Sequence, residues 1–260
     1  MKQSLLNITS NREVSPGVFL MWLDAGSLVQ QSKTGQFFMV KCGDDTTLRR
    51  PISVHRIDAE KGGLAFLYAV VGKGTQWLAN SQPGENLDIF GPLGNGFTLE
   101  AKSKNVLIVA GGIGIAPLIY LAETALRAEK KVTLLLGAAT ARKLYPAKLV
   151  PEGVRVEFST DDGTKGYKGL VTDLLPEYAG RAEQIFVCGP MPMLQNIAGH
   201  KKELGLAGKP VDISMEMRMA CGIGVCLGCT VRTNNGLKEV CKDGPIFRLD
   251  EVIWDDLTQI

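Results

Sequence analysis

Histidine is scarce in this sequence of 260 residues, and its scarcity disfavours two kinds of site. His55 and His200 are the only histidines, and they lie far apart along the chain. A histidine-rich metal site or a histidine-based catalytic triad would need such side chains together. A strong charge is also absent, because the formal net charge is +2 at pH 7. A charge this small predicts no bulk attraction to nucleic acid or to an anionic membrane.

We expect neither a secretory signal nor a membrane span from this sequence. The first residues, MKQSLLNITSNREV, contain no long apolar core. Residues 105–122, NVLIVAGGIGIAPLIYLA, form an uncharged run just long enough to cross a membrane. Glycines and a proline interrupt its centre, so a buried strand, a tight turn and a helix fit it better. We therefore expect a cytoplasmic protein, in which a dense cysteine cluster is more often a metal site than a set of disulfides.

The composition is that of a globular protein, with 45% hydrophobic and 22% charged residues. A chain of this length lies at the upper edge of what one hydrophobic core supports, so two or three modules are expected. In the first hundred residues, short apolar runs such as GVFLMWLD and GLAFLYAVV alternate with Gly, Asp and Lys turns. This spacing predicts a small antiparallel barrel or sandwich, which we place at residues 1–100.

After residue 104 the pattern alternates between apolar and helical segments. Four runs have the pattern of buried strands: NVLIVAG (105–111), VTLLLGAA (132–139), RVEFSTDDG (155–163) and QIFVCGP (184–190). Three segments have helical periodicity: residues 116–131, 170–179 and 191–205. This alternation is typical of a parallel α/β sheet covered on both faces. We predict an α/β domain at residues 101–208 and a small C-terminal domain at residues 209–260.

Loops at the ends of these strands suggest nucleotide binding. In GGIGIAP (111–117), glycines let the backbone approach a phosphate, and the following helix N-terminus offers free N–H groups. Pro117 departs from the usual G-x-G-x-x-G pattern, so a plain strand-to-helix turn is the alternative. CGP (188–190) and STDDG (159–163) end later strands, at the edge where such sheets bind ligands. Their alternatives are a small buried core cysteine and an ordinary acidic turn.

Two segments of the β-rich part also suit phosphate. RRPISV (49–54) places an arginine pair beside a strand, and a planar guanidinium is a natural partner of pyrophosphate. The alternative is a solvated basic strand end. GKGT (72–75) leads into a helix that we expect to begin at Gln76.

Four of the six cysteines lie near the C-terminus with the spacing C-x4-C-x2-C-x11-C: Cys221, Cys226, Cys229 and Cys241. Zinc sites usually combine two separate knuckles, whereas this is one contiguous three-ligand loop with a distant fourth cysteine. The spacing is typical of plant-type [2Fe–2S] proteins. Glycines inside the loop let the chain fold tightly around an inorganic core. The pattern favours a [2Fe–2S] cluster over zinc.

In this order, RPIS, GKGT, GGIGIAP and CGP resemble the ferredoxin–NADP reductase superfamily, which joins an FAD-binding β-barrel to a nicotinamide-binding α/β domain. MACGIGVCLGCTV…CKDGPIF and TDDGTKGYKGLVTD are similar to one family within it, the electron-transfer subunits of NAD-dependent dihydroorotate dehydrogenase B. The resemblance covers essentially the whole chain. It implies FAD in the barrel, a [2Fe–2S] cluster on the four cysteines, and NAD as co-substrate.

The resemblance also implies particular site residues. Those for FAD are Arg50, Pro51, Ile52, Ser53, the backbone of Leu67, Tyr68 and Ala69, and the turn at Gly74 and Thr75. Those for the nicotinamide are Gly112, Gly114 and Cys188. Hydride moves two electrons at once and a [2Fe–2S] cluster takes one, so a flavin has to stand between them.

A partner is implied too. Dihydroorotate would be oxidised at FMN in a separate catalytic subunit, and its electrons would pass through the cluster and FAD to NAD⁺, in pyrimidine biosynthesis. Nothing in this chain resembles an FMN-binding (β/α)8 barrel, so we assign it no catalytic residue. The family implies a heterotetramer of two plus two subunits.

Two alternatives stay open. One is the small subunit of an NADH-dependent ferredoxin:NADP oxidoreductase or a sulfhydrogenase; four cysteines with none replaced by Asp favour the dihydroorotate system. The other is a non-enzymatic zinc- or nucleotide-binding module. Arg142 and Lys143 follow the second α/β strand and leave NADP open as the nucleotide, although the resemblance implies NAD.

Overall fold

The computed structural model describes residues 1–44 and 46–257. The first part is a closed antiparallel barrel, and helices α1 (Leu28–Gln31) and α2 (Lys73–Asn80) lie between its strands. The six strands are β1 (Lys2–Ser15), β2 (Val18–Asp24), β3 (Phe37–Val40), β4 (Arg50–Asp58), β5 (Gly63–Ala69) and β6 (Asn86–Leu93). Their order around the barrel is β1-β2-β5-β4-β3-β6, and β1 pairs with β6 to close it.

The barrel follows from alternation of apolar and polar residues. In β6, every second residue from Leu87 is buried, as expected for a strand with one face toward a core. Phe38 and Phe66 are buried inside the barrel, and their tilted rings lie with centroids 5.8 Å apart. Burying each such side chain contributes about 1.5–3 kcal/mol. The predicted barrel is thus confirmed, in preference to a sandwich.

The remaining strands build a seven-stranded sheet and a hairpin. They are β7 (Asn105–Gly111), β8 (Lys131–Ala138), β9 (Arg155–Thr160), β10 (Tyr167–Lys168), β11 (Gln184–Cys188), β12 (Val211–Ser214), β13 (Thr230–Thr233), β14 (Gly236–Glu239) and β15 (Ile246–Arg248). The sheet order is β10-β9-β8-β7-β11-β12-β15, parallel except for antiparallel β15. β13 and β14 pair with each other. Helices α3 (Leu118–Arg127), α4 (Leu175–Tyr178) and α5 (Met191–Gly199) complete this part.

Several helix bounds differ from the sequence expectation. α2 begins at Lys73, not at Gln76, because the Thr75 hydroxyl closes its first turn. Residues 170–179 form a 3-10 turn followed by the single α-turn of α4, and α5 ends at Gly199 rather than at residue 205. The uncharged run 105–122 folds as β7, a 3-10 turn and the start of α3. In the described part of the chain, no helix is long and apolar enough to cross a membrane.

The domain boundaries at residues 100/101 and 208/209 stay a prediction. β12 and β15 lie beyond residue 208, yet both are hydrogen-bonded into the parallel sheet. One buried apolar cluster also joins barrel residues Phe37, Met39 and Leu93 to the cysteine-bearing segment. The C-terminal segment therefore packs on the barrel and the sheet together.

Candidate functional site

Arg49 and Arg50 have different surroundings at the start of β4. The Arg49 guanidinium donates to both carboxylate oxygens of Asp88, at 3.0 and 2.8 Å. Burial opposes ionisation of Asp88, but Arg49 outweighs it and lowers the pKa of that carboxyl. Arg50 instead donates to the carbonyl of Leu48 at 2.5 Å, and its side chain reaches the GKGT turn. Arg49 thus has a structural ion pair, which leaves Arg50 as the candidate for a bound phosphate.

The GKGT turn is shaped for that arginine. A Cβ at Gly74 would lie 3.0 Å from Nε of Arg50, a tight contact, so glycine leaves room for the arginine side chain at this turn. Thr75 Oγ1 accepts hydrogen bonds from the N–H groups of Val71 at 2.9 Å and Gly72 at 3.2 Å. Two predicted FAD segments, around residues 50 and 74, are therefore neighbours.

The third predicted FAD segment is the end of β5. Leu67 belongs to the apolar cluster shared with the α/β part, whereas the Tyr68 ring points into the barrel core. The Tyr68 hydroxyl donates to Oδ1 of Asn11 at 3.0 Å, and burial raises the pKa of this phenol. The side chain of Tyr68 is thus occupied by contacts within the barrel. At this end of β5, a ligand could bind only the backbone of Tyr68.

A cavity of about 180 Å³ lies between the barrel and the α/β part. Its walls include Leu67, Ala69, Gly112, Ile115, Lys143 and Tyr145. It thus brings two predicted FAD residues beside one predicted nicotinamide residue. Its volume is below the roughly 300–1,000 Å³ of sites for drug-sized ligands, so it can take only part of a dinucleotide.

The predicted nicotinamide residues meet where β7 and β11 end. Gly112 has a φ of +55°, a left-handed conformation that favours glycine. A Cβ at Gly114 would lie 2.2 Å from the carbonyl oxygen of Cys188. The GGIGIAP loop therefore packs directly on the CGP turn, at the carboxyl edge of the sheet where open α/β folds bind ligands.

Cys188 is a neutral thiol at this edge. Burial and the negative charge of Glu216 raise its pKa to about 12, against the hydrogen bonds of Ser214 and Gly189. A thiol held neutral in this way is a poor nucleophile. Ser214 and Glu216 were missed by the sequence reasoning, because the short strand β12, which ends at Ser214 just before Glu216, was not predicted.

His55 connects the barrel to the nucleotide loop. Its Nδ1 lies 2.8 Å from the carbonyl of Ala116, so Nδ1 carries the proton and donates it. Nε2 then accepts from the Tyr145 hydroxyl at 3.0 Å. Burial lowers the pKa of His55 to about 3, the hydrogen bond to Ala116 opposes this, and the nearby charge of Arg56 adds to it. The His55 ring is therefore neutral where it bridges Ala116 and Tyr145.

Polar side chains of the acidic turn STDDG make hydrogen bonds within the turn itself. Thr160 is buried, and its hydroxyl donates to the carbonyl of Lys165 at 2.9 Å. Asp162 accepts from the N–H and the hydroxyl of Thr164, at 3.0 and 2.6 Å. The contacts of these side chains are those of an ordinary acidic turn.

The four predicted cluster cysteines lie around one loop. The N–H of Ile223 donates to Sγ of Cys221 at 3.4 Å, and that of Gly224 to Sγ of Cys241 at 3.1 Å. The N–H of Cys241 donates to Sγ of Cys229 at 3.4 Å. Backbone donors aimed at sulfur are what an iron–sulfur group needs around its thiolates. Within residues 1–44 and 46–257, no three His, Cys, Asp or Glu side chains already lie at metal-binding distances from one another. The fit of the loop to a cluster therefore rests on these backbone donors and on the cysteine spacing.

The cysteines of this loop differ in the pKa values of their thiols and in their exposure to solvent. Burial opposes the thiolate of Cys221, but the N–H groups of Ile223 and its neighbours outweigh it and lower the pKa to about 6. Burial and the adjacent Cys229 raise the pKa of Cys241 to about 12. Cys229 and Cys241 are buried whereas Cys226 is exposed, so one side of the loop faces outward. Around Cys226, the side chains of Ile223, Val225 and Leu227 are 37%, 71% and 62% exposed.

Two family models match the chain. Residues 216–253 match the iron–sulfur cluster binding domain of dihydroorotate dehydrogenase B, and residues 108–199 match the oxidoreductase NAD-binding domain. The first match covers all four cysteines, and the second covers Gly112, Gly114 and Cys188.

Relatives match over nearly their whole length. The dihydroorotate dehydrogenase B (NAD(+)) electron transfer subunit of Desulforamulus reducens is 38% identical over 93% of this chain and 95% of its own. That of Clostridium acetobutylicum is 38% identical over 98% of this chain and 99% of its own. A chain in the structure of an NADH-dependent reduced ferredoxin–NADP oxidoreductase is 31% identical, with a TM-score of 0.88 over 98% of this chain and 91% of that one. The cytochrome b5 reductase domain of Ulva prolifera nitrate reductase shares the fold, at 19% identity and a TM-score of 0.61 over 80% of this chain and 95% of that one.

Proposed function

Because this chain belongs to the family of dihydroorotate dehydrogenase B (NAD(+)) electron transfer subunits, we propose that it relays electrons from dihydroorotate oxidation to NAD⁺ in pyrimidine biosynthesis. It is an electron-transfer subunit of an oxidoreductase, with FAD, an iron–sulfur cluster and NAD as its cofactors. When bound, FAD exchanges hydride with the nicotinamide and single electrons with the cluster.

We assign FAD to the barrel face formed by the start of β4, the GKGT turn and the end of β5. Arg50 would bind the pyrophosphate beside Gly74 and Thr75, while Pro51, Ile52 and Ser53 continue the wall. The backbone of Leu67 to Ala69 would complete it. The contact of Arg50 with the turn at Gly74 supports this assignment.

We assign the nicotinamide to the edge formed by Gly112, Gly114 and Cys188. The 180 Å³ cavity supports this, because it lies between this loop and the end of β5. The neutral Cys188 thiol would place a polar but uncharged group there. Lys143 on the cavity wall would bind a phosphate group of the nucleotide. NAD is the nucleotide in the family name.

We assign the cluster, of the [2Fe–2S] type, to Cys221, Cys226, Cys229 and Cys241. One observation carries the relay: Gly222 in this loop lies against Met39 of β3, and Met39 pairs with Pro51 of the flavin strand. The cluster segment thus lies one strand away from the flavin segment. A cluster that passes electrons between FAD and a partner subunit has to lie close to both of them.

The partner that we propose is an FMN-containing catalytic subunit, in a complex of two plus two chains located in the cytoplasm. The exposed apolar side chains around Cys226 support a protein contact at the cluster loop. All six cysteines are unpaired, as is usual in a reducing compartment.

The test is co-expression with candidate partners, followed by the visible spectrum of the purified complex. We expect flavin and iron–sulfur absorbance, with an FMN-containing barrel subunit in the same peak and NAD⁺-dependent dihydroorotate oxidation. The 31% identical ferredoxin–NADP oxidoreductase chain favours one alternative, that of a small subunit in such an enzyme. A partner with [4Fe–4S] motifs would establish that alternative. A colourless zinc protein would overturn the redox assignment.

A further inference from the structure

Asn95 ties the barrel to the cysteine-bearing segment. It lies in the segment GNGF (94–97) that follows β6. Its Nδ2 donates to the carbonyls of Asp243 at 2.9 Å and Ile246 at 2.8 Å. Its Oδ1 accepts from the N–H of Ile246 at 3.0 Å, and its own N–H donates to the carbonyl of Gly244 at 2.6 Å. One residue therefore binds the segment immediately after Cys241 through side chain and backbone.

The contact is close on both sides of this residue. Gly94 has a φ of +72°, and a Cβ there would lie 2.6 Å from Cδ of Pro245. In the cysteine loop, a Cβ at Gly222 would lie 2.6 Å from Cγ of Met39. At Gly94 and at Gly222, the barrel and the cysteine-bearing segment therefore lie too close together for a residue with a side chain.

An apolar core continues across the contact. Phe37, Met39 and Leu93 of the barrel belong to the same buried cluster as Cys229 and Cys241. Packed interiors resist deformation, so this core and the hydrogen bonds of Asn95 together hold the segment against the barrel.

We propose that Asn95 is a positioning residue for electron transfer, which holds the cluster segment at a set distance from the flavin strand β4. The inference rests on the function proposed above. Asn95 contacts neither cofactor site directly: it acts through the backbone of residues 243–246, next to Cys241.

Electron transfer from NADH to the cluster has two steps, hydride transfer to the flavin and single-electron transfer to the cluster, and an Asn95 substitution should slow the second. With NADH the relay would run in reverse of the proposed direction. Bound FAD would accept a hydride from NADH together with a proton from solvent. It would return both protons to solvent as its two electrons left one at a time through the cluster, which holds one, to the FMN of the proposed catalytic subunit. We expect Asn95 to affect mainly the second step, because its hydrogen bonds go to residues 243–246, next to Cys241.

The test uses the whole complex with its catalytic subunit, and the variants Asn95→Asp and Asn95→Ala. Asn95→Asp keeps the acceptor for Ile246 but turns an anionic oxygen toward two carbonyl oxygens. Asn95→Ala removes the side-chain bonds without adding charge, so the test survives if the first variant fails to fold. Asn234→Asp is the matched control: Asn234 is an exposed asparagine in the same segment, and its Nδ2 donates to the carbonyl of Asp250, away from the barrel.

Iron and flavin contents, the visible spectrum and rapid-mixing absorbance with NADH are measured for each complex. We expect wild-type contents and flavin reduction within about twofold of wild type, as for substitutions away from a site. Cluster reduction should be roughly tenfold slower in both Asn95 variants, because small displacements of reacting partners are costly. Amide exchange at Ile246 should also be faster, and the Asn234→Asp complex should match wild type in both steps.

Wild-type cluster reduction in a complex of either Asn95 variant that carries both cofactors would overturn the inference. So would loss of a cofactor from both variants, since Asn95 would then support folding rather than position. A wild-type complex without flavin or cluster absorbance would instead overturn the proposed function, which separates the two failures.

Discussion

Replacing Gly114 by alanine tests how tightly the nucleotide loop packs on the strand end beside it. A Cβ on residue 114 would lie 2.2 Å from the carbonyl oxygen of Cys188 and 2.7 Å from the nitrogen of Gly189. Both are backbone atoms, so neither can rotate away as a flexible side chain could. Gly114 is not among the residues with positive φ, so alanine adds no backbone strain and its effect is steric.

The structure sets the size of that effect. Forcing an extra methyl group into packed structure costs about 1–3 kcal/mol. For a chain of this length, each 1 kcal/mol lowers the Tm by roughly 2–4 °C, which gives a total of about 2–12 °C. The loop can accept the methyl group only by moving off Cys188, and Gly112 moves with it. We therefore also expect NAD⁺ binding to weaken by about tenfold, or ~1.4 kcal/mol.

Thermal unfolding and titration of the flavin spectrum with NAD⁺ measure the two quantities. Gly199→Ala is the control, because Gly199 ends α5 and a Cβ there meets nothing within 4 Å. Its Tm should be unchanged or slightly higher, since alanine is the better helix former. A Gly114→Ala protein with the Tm and the NAD⁺ affinity of wild type would refute the close packing of these loops.

Three further predictions concern the cluster, the flavin and pH. Cys226→Ser should abolish dihydroorotate-to-NAD⁺ transfer in the complex while FAD absorbance remains, and unimpaired transfer would count against the relay. Arg50→Lys should release FAD on gel filtration more readily than Arg155→Lys at the exposed start of β9, because an ammonium cannot bind pyrophosphate bidentately; equal flavin retention would contradict this. Burial lowers the pKa of His55 to about 3, whereas the unfolded chain titrates near ~6.5, so its contribution to stability is present above that pH and is lost as pH falls toward 3. The slope is up to ~1.4 kcal/mol per pH unit, and urea unfolding of His55→Gln should lack it; an unchanged pH dependence would remove His55 as its source.

Local patterns were sufficient for many elements. β7 coincides with the predicted strand NVLIVAG, because a fully apolar run ending at glycines suits a buried parallel strand. The cysteine spacing likewise indicated the cluster before any fold was known, since three ligands lie within one short loop. These features depend on residues near one another in the sequence.

Other elements left weak local signals. β1 is a strand of 14 residues, but Leu6 and Ile8 are its buried side chains, so its apolar alternation is faint. It is held by pairing with β2 and β6 on its two edges. β12 and β15 are short, and each takes its place from neighbours already in the sheet.

The sequence by itself indicated the chemistry of the proposed sites: cysteines for a cluster, arginine and glycine turns for phosphates, and a cysteine at a strand end. Only the tertiary structure decided how those sites meet. Asn95 and Ile246 are 151 positions apart, and neither carries a pattern that points to the other. Their hydrogen bonds form because the closed barrel and the sheet bring both backbones to one place, and contacts of that range leave no periodicity in a sequence.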